Sequence, residues 1–315
     1  MVHSSCSDAR SRISAWGQVI RLQFYPMAFL AYLLGAVAAR PHGESLDPGL
    51  FWLGYLTMFC IELGTVLANE VHDQDTDSLN RNRSPFTGGS GMVVTGRLAG
   101  DVVRRVALAC FGAAVSAAPA TLLIGGAPHP VKVFVYLAVG LVLGMGYTIP
   151  PLRLSARGWG EVTVGFTHSL YLIGYGFLLQ TGHMADTGVV LLSLPVFFSV
   201  LAAILLAGLP DLGADRQAGK KTLAVRLGPR IVAGLAAGAS LVSVAAIVPM
   251  AAFGTLSVAA AVWFGLCSGI HALALVSAIA RMVRRRAFDM RIDMVLQLAL
   301  SHILWTVLVP LAALW

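Results

Sequence analysis

Two short stretches of the chain carry acidic side chains at regular spacing. Residues 69–77 read NEVHDQDTD, four carboxylates in nine positions, directly after the apolar run FWLGYLTMFCIELGTVLA. On a helix, Asn69, Asp73 and Asp77 fall at i, i+4, i+8 and share a face, whereas Asp75 points nearly the opposite way. In LPDLGADRQAGKKTLAVRLG, at 209–228, Asp211 and Asp215 repeat the i, i+4 spacing after a second apolar run. Carboxylates placed this way repel each other, and beside a low-dielectric boundary the cost is large unless a cation intervenes. Hard carboxylate and amide oxygens suit Mg2+, which keeps several waters and binds through one or two carboxylates plus substrate phosphates. Asn69, Asp73, Asp77, Asp211 and Asp215 are therefore the expected metal ligands, two facing clusters holding a diphosphate through bridging Mg2+. A solvated acidic loop is the plainer reading of either cluster alone, but negative charge at a helix C-terminus is itself unfavourable.

Cations stand near both clusters. Arg81 and Arg83 follow the first, Lys220, Lys221 and Arg226 follow the second, and Arg153 lies in YTIPPLRLS at 147–155. Guanidinium and ammonium groups stabilise the charge on a departing diphosphate. GKKT at 219–222 invites a nucleotide-binding P-loop reading, which fails: that pattern needs Gly at 214 and Ser or Thr at 221, and the chain has Ala214 and Lys221. GGSG at 88–91 makes a flexible loop that serves equally as a lid or as a linker. Cys6, Cys60, Cys110 and Cys267 lack CxxC or CxxH spacing, which argues against a disulfide framework or a zinc site.

The elements that must position these groups are membrane helices. With 57% hydrophobic residues, 12% charged residues and a mean hydropathy of +0.78, the 315-residue chain reads as a multi-span integral membrane protein. A helix needs about 20 apolar residues to cross the hydrocarbon core. Nine stretches qualify: 16–39, 50–69, 102–124, 131–149, 160–180, 188–209, 229–253, 255–280 and 291–315. No strand-like alternation suggests a β-barrel. The polar start MVHSSCSDARSRIS has no apolar h-region of its own, so the first span is expected to be retained. Residues 1–15 then form a cytoplasmic segment and 16–315 a single transmembrane domain.

With the N-terminus cytoplasmic, 20 of the 22 basic residues fall on the cytoplasmic side, leaving Arg40 and Lys132 outside. The positive-inside rule sets the orientation accordingly. Basic loops facing anionic lipid account for the net charge of +7 without any nucleic acid. Both acidic clusters thus sit at cytoplasmic ends of spans, four helices apart, as in a weak internal duplication.

NEVHDQDTD resembles the NDxxDxxxD signature of the UbiA superfamily of intramembrane prenyltransferases. YTIPPLRL resembles that family's helix 4 to 5 loop, and DLGADRQAGKKTLAVRLG its second DxxxD signature. The resemblance runs from about residue 16 to the C-terminus. Asn-Glu at 69–70, SPFTGGSG at 84–91 and GKKTLAVRLG at 219–228 are similar to the menaquinone-pathway branch, which acts on dihydroxynaphthoate. Glu70 departs from the commoner Asp. Ser84 stands where the ubiquinone branch has Arg-Pro-Leu, which speaks against a 4-hydroxybenzoate acceptor.

The resemblance implies an all-α bundle of nine helices around a central cavity, in a bacterial-type inner membrane with a cytoplasmic active site. It implies that Asn69, Asp73, Asp77, Asp211 and Asp215 hold Mg2+ and a prenyl diphosphate donor. Arg153 and Lys220 would neutralise diphosphate charge, and Tyr147 would lie near the reactive carbon; Arg83 is expected to bind the donor by its position after the first cluster. An electron-rich aromatic acceptor would then attack the allylic carbon as in quinone biosynthesis. Tyr147, Phe166 and Tyr171 are candidates to stabilise the cation.

Glu62 lies two turns before Asn69 on nearly the same face. It either orients an acceptor hydroxyl and takes its proton, or is a protonated side chain bonded to a neighbouring helix. His168, His271 and His302 read as packing residues, and Glu161 as a charge favouring its helix N-terminus. A terpene cyclase, in which the donor's own double bonds attack the cation, shares the acidic motifs and is the alternative activity. A cation-coupled transporter calls for acids near the bilayer midplane, where these clusters do not lie.

Overall fold

The computed structural model describes residues 13–123, 129–288 and 290–315. Nine helices in it are long and apolar enough to cross a membrane: α1 Ile13–His42, α2 Pro48–His72, α3 Gly100–Leu123, α4 Pro130–Thr148, α5 Gly160–Thr181, α6 Thr187–Ala207, α7 Pro229–Ala252, α8 Val258–Arg284 and α9 Asp293–Leu314. Their ends fall within four residues of the expected spans, and among the described residues no β-strand forms. Cys6, Arg10 and Arg12 lie outside the described residues; Cys60, Cys110 and Cys267 are free and half-buried.

The bundle is layered by burial. α1, α5 and α6 are each about 61% buried along their most apolar stretch and form the middle, whereas α3 is 22% buried and turns its leucines and valines to lipid. Glycine lets the middle helices touch: a Cβ at Gly35 would run into the backbone of Ile173, and one at Gly176 into the backbone of Tyr32. Close backbone approach of this kind substitutes dispersion contact for the hydrophobic drive that lipid does not supply.

Two interruptions in otherwise regular helices matter for the site. α1 breaks at Arg21, whose backbone is left-handed (φ 59°), then passes through a 3-10 turn, Leu22–Phe24, and resumes with Pro26 in its first turn. α5 widens into a π-helical turn at Thr167–Tyr171, the type of irregularity that redirects side chains.

On the face opposite the acidic clusters, the two outlying basic residues meet backbone carbonyls. Arg40 donates to the carbonyl of Trp315 and stacks over its ring at 4.6 Å, and Lys132 Nζ donates to Gly182 O at 3.0 Å.

Candidate active site

The first acidic motif does not continue α2 as one straight helix. α2 ends at His72, Asp73 is its C-cap with φ −92° and ψ 5°, and a short helix, Gln74–Leu79, starts after it. The second motif repeats this design: α6 ends at Ala207 and a short helix, Leu212–Gln217, follows Asp211. The two short helices pack against each other, which brings the clusters face to face.

Lys220 bridges them. Its Nζ lies 2.9 Å from Asp73 Oδ2 and 3.7 Å from Asp215 Oδ1, with the side chain 9% exposed. Asp211 accepts from Asn80 Nδ2 at 2.6 Å and from Thr87 Oγ1 at 3.1 Å, while Asp215 accepts from Thr222 Oγ1 at 3.2 Å. Asp77 is buried under the 88–91 loop, where a Cβ on Gly89 (φ +68°) would strike its carboxylate. That loop is clasped from below by Glu70, which accepts from the Ser90 backbone N–H at 2.9 Å and from the Ser90 hydroxyl. The loop is therefore the wall that holds Asp77. Asp75 is exposed, as its spacing requires.

Crowding of acids shows in their proton affinity. Burial first, then the charges of Asp73, Glu70 and Asp211, push Asp77 up to about 7 against the pull of Lys220. Burial and Asp215 push Asp211 up to about 6 despite its bonds to Thr87 and Asn80. Burial also raises Asp215, with Lys220 opposing. For Lys220 burial works against the ammonium, but Asp73 and Asp215 outweigh it and its pKa is raised.

Beneath the clusters opens a cavity of about 330 Å³. Asn69, Glu70 and Tyr147 line its acidic end, and Met58, Ile61, Leu143, Val200 and Ile303 are among its apolar walls. Asn69 Oδ1 is buried without a hydrogen-bond partner among the described residues. A hard divalent cation suits this donor set, an orphaned amide oxygen beside the carboxylates of Asp73 and Asp77. Among the described residues no three His, Cys, Asp or Glu side chains close around one point.

Two expected cations are placed elsewhere. Arg83 donates from its guanidinium to Asp77 O at 2.6 Å and to Gly88 O at 3.0 Å, so it staples the loop backbone. Arg153 is exposed and left-handed at φ 44°. Arg21 lines the cavity from the break in α1. Among the described residues its guanidinium has no ion pair and lies 5.1 Å from the Phe24 ring centroid. The signal in the sequence was an arginine several residues inside an apolar span, which charge counting alone assigns to a loop. Tyr171 lines the cavity beside Tyr147, whereas Phe166 packs behind Tyr171.

Glu161 caps a different helix from its own. Its Oε1 accepts from Leu223 N at 2.9 Å, the first residue of the short helix Leu223–Leu227. With the bond from Lys221 N to Ala156 O at 2.8 Å, this ties the α4–α5 loop to the segment bearing Lys220. His302 is buried against Ser243, and His271 accepts from the Trp305 indole N–H at 3.2 Å and donates from Nδ1 to Cys267 O at 2.8 Å, consistent with packing roles.

Comparison with known proteins agrees with this architecture. The UbiA prenyltransferase family model matches residues 28–313. The 1,4-dihydroxy-2-naphthoate octaprenyltransferase of Escherichia coli K12 is 27% identical over 230 residues, 69% of this chain and 70% of that protein. The enzyme of the same name from Bacillus subtilis 168 is 26% identical over 67% of this chain and 65% of that protein. Among solved structures, a UbiA homologue from Archaeoglobus fulgidus bound to DMAPP and Mg2+ aligns with a TM-score of 0.59 at 14% identity, covering 94% of this chain and 99% of that one. A digeranylgeranylglyceryl phosphate synthase structure aligns at 0.64 and 12% identity, over 96% and 98%. The nine-helix fold, the paired acidic helix ends and the match across nearly the whole chain place this protein in the UbiA prenyltransferase family.

Proposed function

We propose that this membrane prenyltransferase moves a prenyl group from a prenyl diphosphate to an aromatic acceptor in a Mg2+-dependent reaction at the cytoplasmic face. The observation that carries this reading is the pair of acidic helix ends, joined through Lys220 over an apolar cavity. Dihydroxynaphthoate is the acceptor favoured by the names of the Escherichia coli and Bacillus subtilis relatives and by the motif resemblance. The cytoplasmic placement rests on the basic residues.

Asn69, Asp73 and Asp77 would hold the metal from one side and Asp211 and Asp215 from the other. Bound Mg2+ supplies the positive charge that draws electrons toward the diphosphate. Lys220 then exchanges its carboxylates for phosphate oxygens, and Arg21 approaches the same anion from α1. The allylic C–O bond breaks with its electron pair leaving on the diphosphate. Tyr147 and Tyr171 present ring faces to the developing cation, and the apolar walls keep water from it. The isoprenoid tail lies along those walls.

Purified protein given Mg2+, a prenyl diphosphate and 1,4-dihydroxy-2-naphthoate is expected to release diphosphate and form a product that has gained the prenyl group and lost carbon dioxide. Cyclic hydrocarbon formed without any acceptor would replace the transferase reading with a cyclase.

A further inference from the structure

The cavity contains a second polar feature that the diphosphate clamp does not use. Glu62 lies seven residues before Asn69 on α2, about 10 Å away along the helix axis. Its Oε1 is 3.6 Å from Nε2 of His168, and both side chains line the cavity. They retain 19% and 27% exposure respectively, in a region otherwise walled by Met58, Ile61, Val164 and Leu172. Ionisable groups in such surroundings are expensive and are found where a pathway or reaction uses them.

The geometry orients the pair. His168 Nδ1 lies 3.1 Å from Val164 O, which can only accept, so Nδ1 carries a hydrogen and Nε2 faces Glu62. His168 belongs to the π-helical turn of α5, which sets its ring across from α2. At 3.6 Å the two groups are at ion-pair range but longer than a direct hydrogen bond, so each keeps capacity for a third partner. Other titratable groups around them are tyrosines, Tyr25 from α1, Tyr55 from α2 and Tyr171 from α5, with Cys110 on α3. Arg21 and Tyr147 lie toward the acidic end. Within this set Glu62 supplies a carboxylate, and His168 the imidazole that faces it.

We propose that Glu62 takes the proton of a hydroxyl on the aromatic acceptor, with His168 positioning the carboxylate and sharing that proton. The assignment rests on the prenyl-transfer reading and deepens it: the acceptor must carry a hydroxyl conjugated with the carbon that is alkylated. The O–H bond breaks and the proton passes to the Glu62–His168 pair. The aryloxide's electrons move into the ring, the new C–C bond forms, and the donor's C–O electrons leave with the diphosphate. The alkylated carbon then loses carbon dioxide from its carboxylate, or a proton to the departing diphosphate; the electrons of the broken bond restore the aromatic ring, and oxygen recovers its proton from the pair.

The test uses the full chain in lipid nanodiscs with Mg2+ and a prenyl diphosphate, following the acceptor's kcat/KM and the donor's KM from pH 6 to 10. Glu62→Gln is expected to lower kcat/KM for the acceptor by about 10²–10⁴-fold at pH 7, with donor KM unchanged. The deficit should shrink about tenfold per pH unit toward the hydroxyl's own pKa, because solvent base then makes the aryloxide. His168→Gln should give a smaller loss and displace the acidic limb of the profile. A deficit that is constant with pH, or that tracks donor KM, overturns the relay. An arm independent of variant folding uses wild-type protein with the hydroxyl replaced by methoxy: loss of transfer supports the relay, and full turnover removes it. If the transfer reading itself fails, wild-type protein consumes donor yet alkylates no acceptor. If only the relay fails, wild-type transfer proceeds and Glu62→Gln leaves it intact.

Discussion

The two acidic clusters share a design and differ in how much of it is already committed. In the cluster at the end of α6, Asp211 is bonded to Asn80 and Thr87, and Asp215 to Thr222. In the cluster at the end of α2, Asn69 Oδ1 has no hydrogen-bond partner among the described residues and Asp73 meets Lys220. Both clusters meet Lys220, but the α6 carboxylates also accept from amide and hydroxyl side chains, whereas the α2 cluster leaves one amide oxygen unbonded among the described residues. A motif repeated in sequence thus becomes two halves that are supported differently.

The comparison can be broken by experiments of decreasing size. Removing Mg2+ with a chelator should reduce diphosphate release to background, and activity that persists in chelator removes the metal from both halves. Asp73→Asn should cut diphosphate release by about 10²–10³-fold, the scale of losing one stabilising group at a developing charge, and should also lower thermal stability, because the buried Lys220 ammonium loses its 2.9 Å partner. Asp211→Asn should cost activity with a smaller loss of stability, because Asn keeps one oxygen to accept from Asn80 or Thr87 and removes a buried charge beside Asp215; a larger stability loss there than in Asp73→Asn would reverse the contrast.

The pH dependence follows from the raised carboxyls. In the metal-free fold Asp77 is up to about 7 and Asp211 up to about 6, both above their unfolded values. For an acid this sign means that stability present at low pH is lost as pH rises from the ordinary carboxylate range through about 6 to 7. A bound cation reverses the penalty, so the rise in Tm produced by Mg2+ should grow between pH 5.5 and 8. A rise that is flat across that range counts against ionisation of these two groups as its source. Smallest of all, Thr87→Val should destabilise by about 1 kcal/mol through loss of its bonds to Ala207 O and Asp211, measured by denaturation in detergent.

The spans and the acidic pairs were legible because they depend on local rules: apolar length, and i, i+4 spacing at helix ends. The break at Asp73 was not, since a straight helix places Asn69, Asp73 and Asp77 on one face equally well. Arg83 and Arg153 carry the right charge beside the right motifs, but spacing does not say that one guanidinium turns to backbone carbonyls and the other to solvent. Arg21 was hidden for the converse reason: it stands at a left-handed break in α1, which the apolar pattern does not mark, and lines the cavity from there. The Glu62–His168 pair joins residues on two helices more than a hundred positions apart, and the π turn that aligns them leaves no mark in the apolar pattern.

On the proposed metal reading, Lys220 would give the site a thermodynamic coupling. Mg2+ arriving alone would compete with an ammonium for Asp73 and Asp215, whereas Mg2+ arriving with a diphosphate would bring the anion to which that ammonium can transfer. Metal and donor should therefore bind with positive cooperativity, each raising the other's affinity by the same factor. Lys220→Met would uncouple them, tightening metal alone while weakening donor.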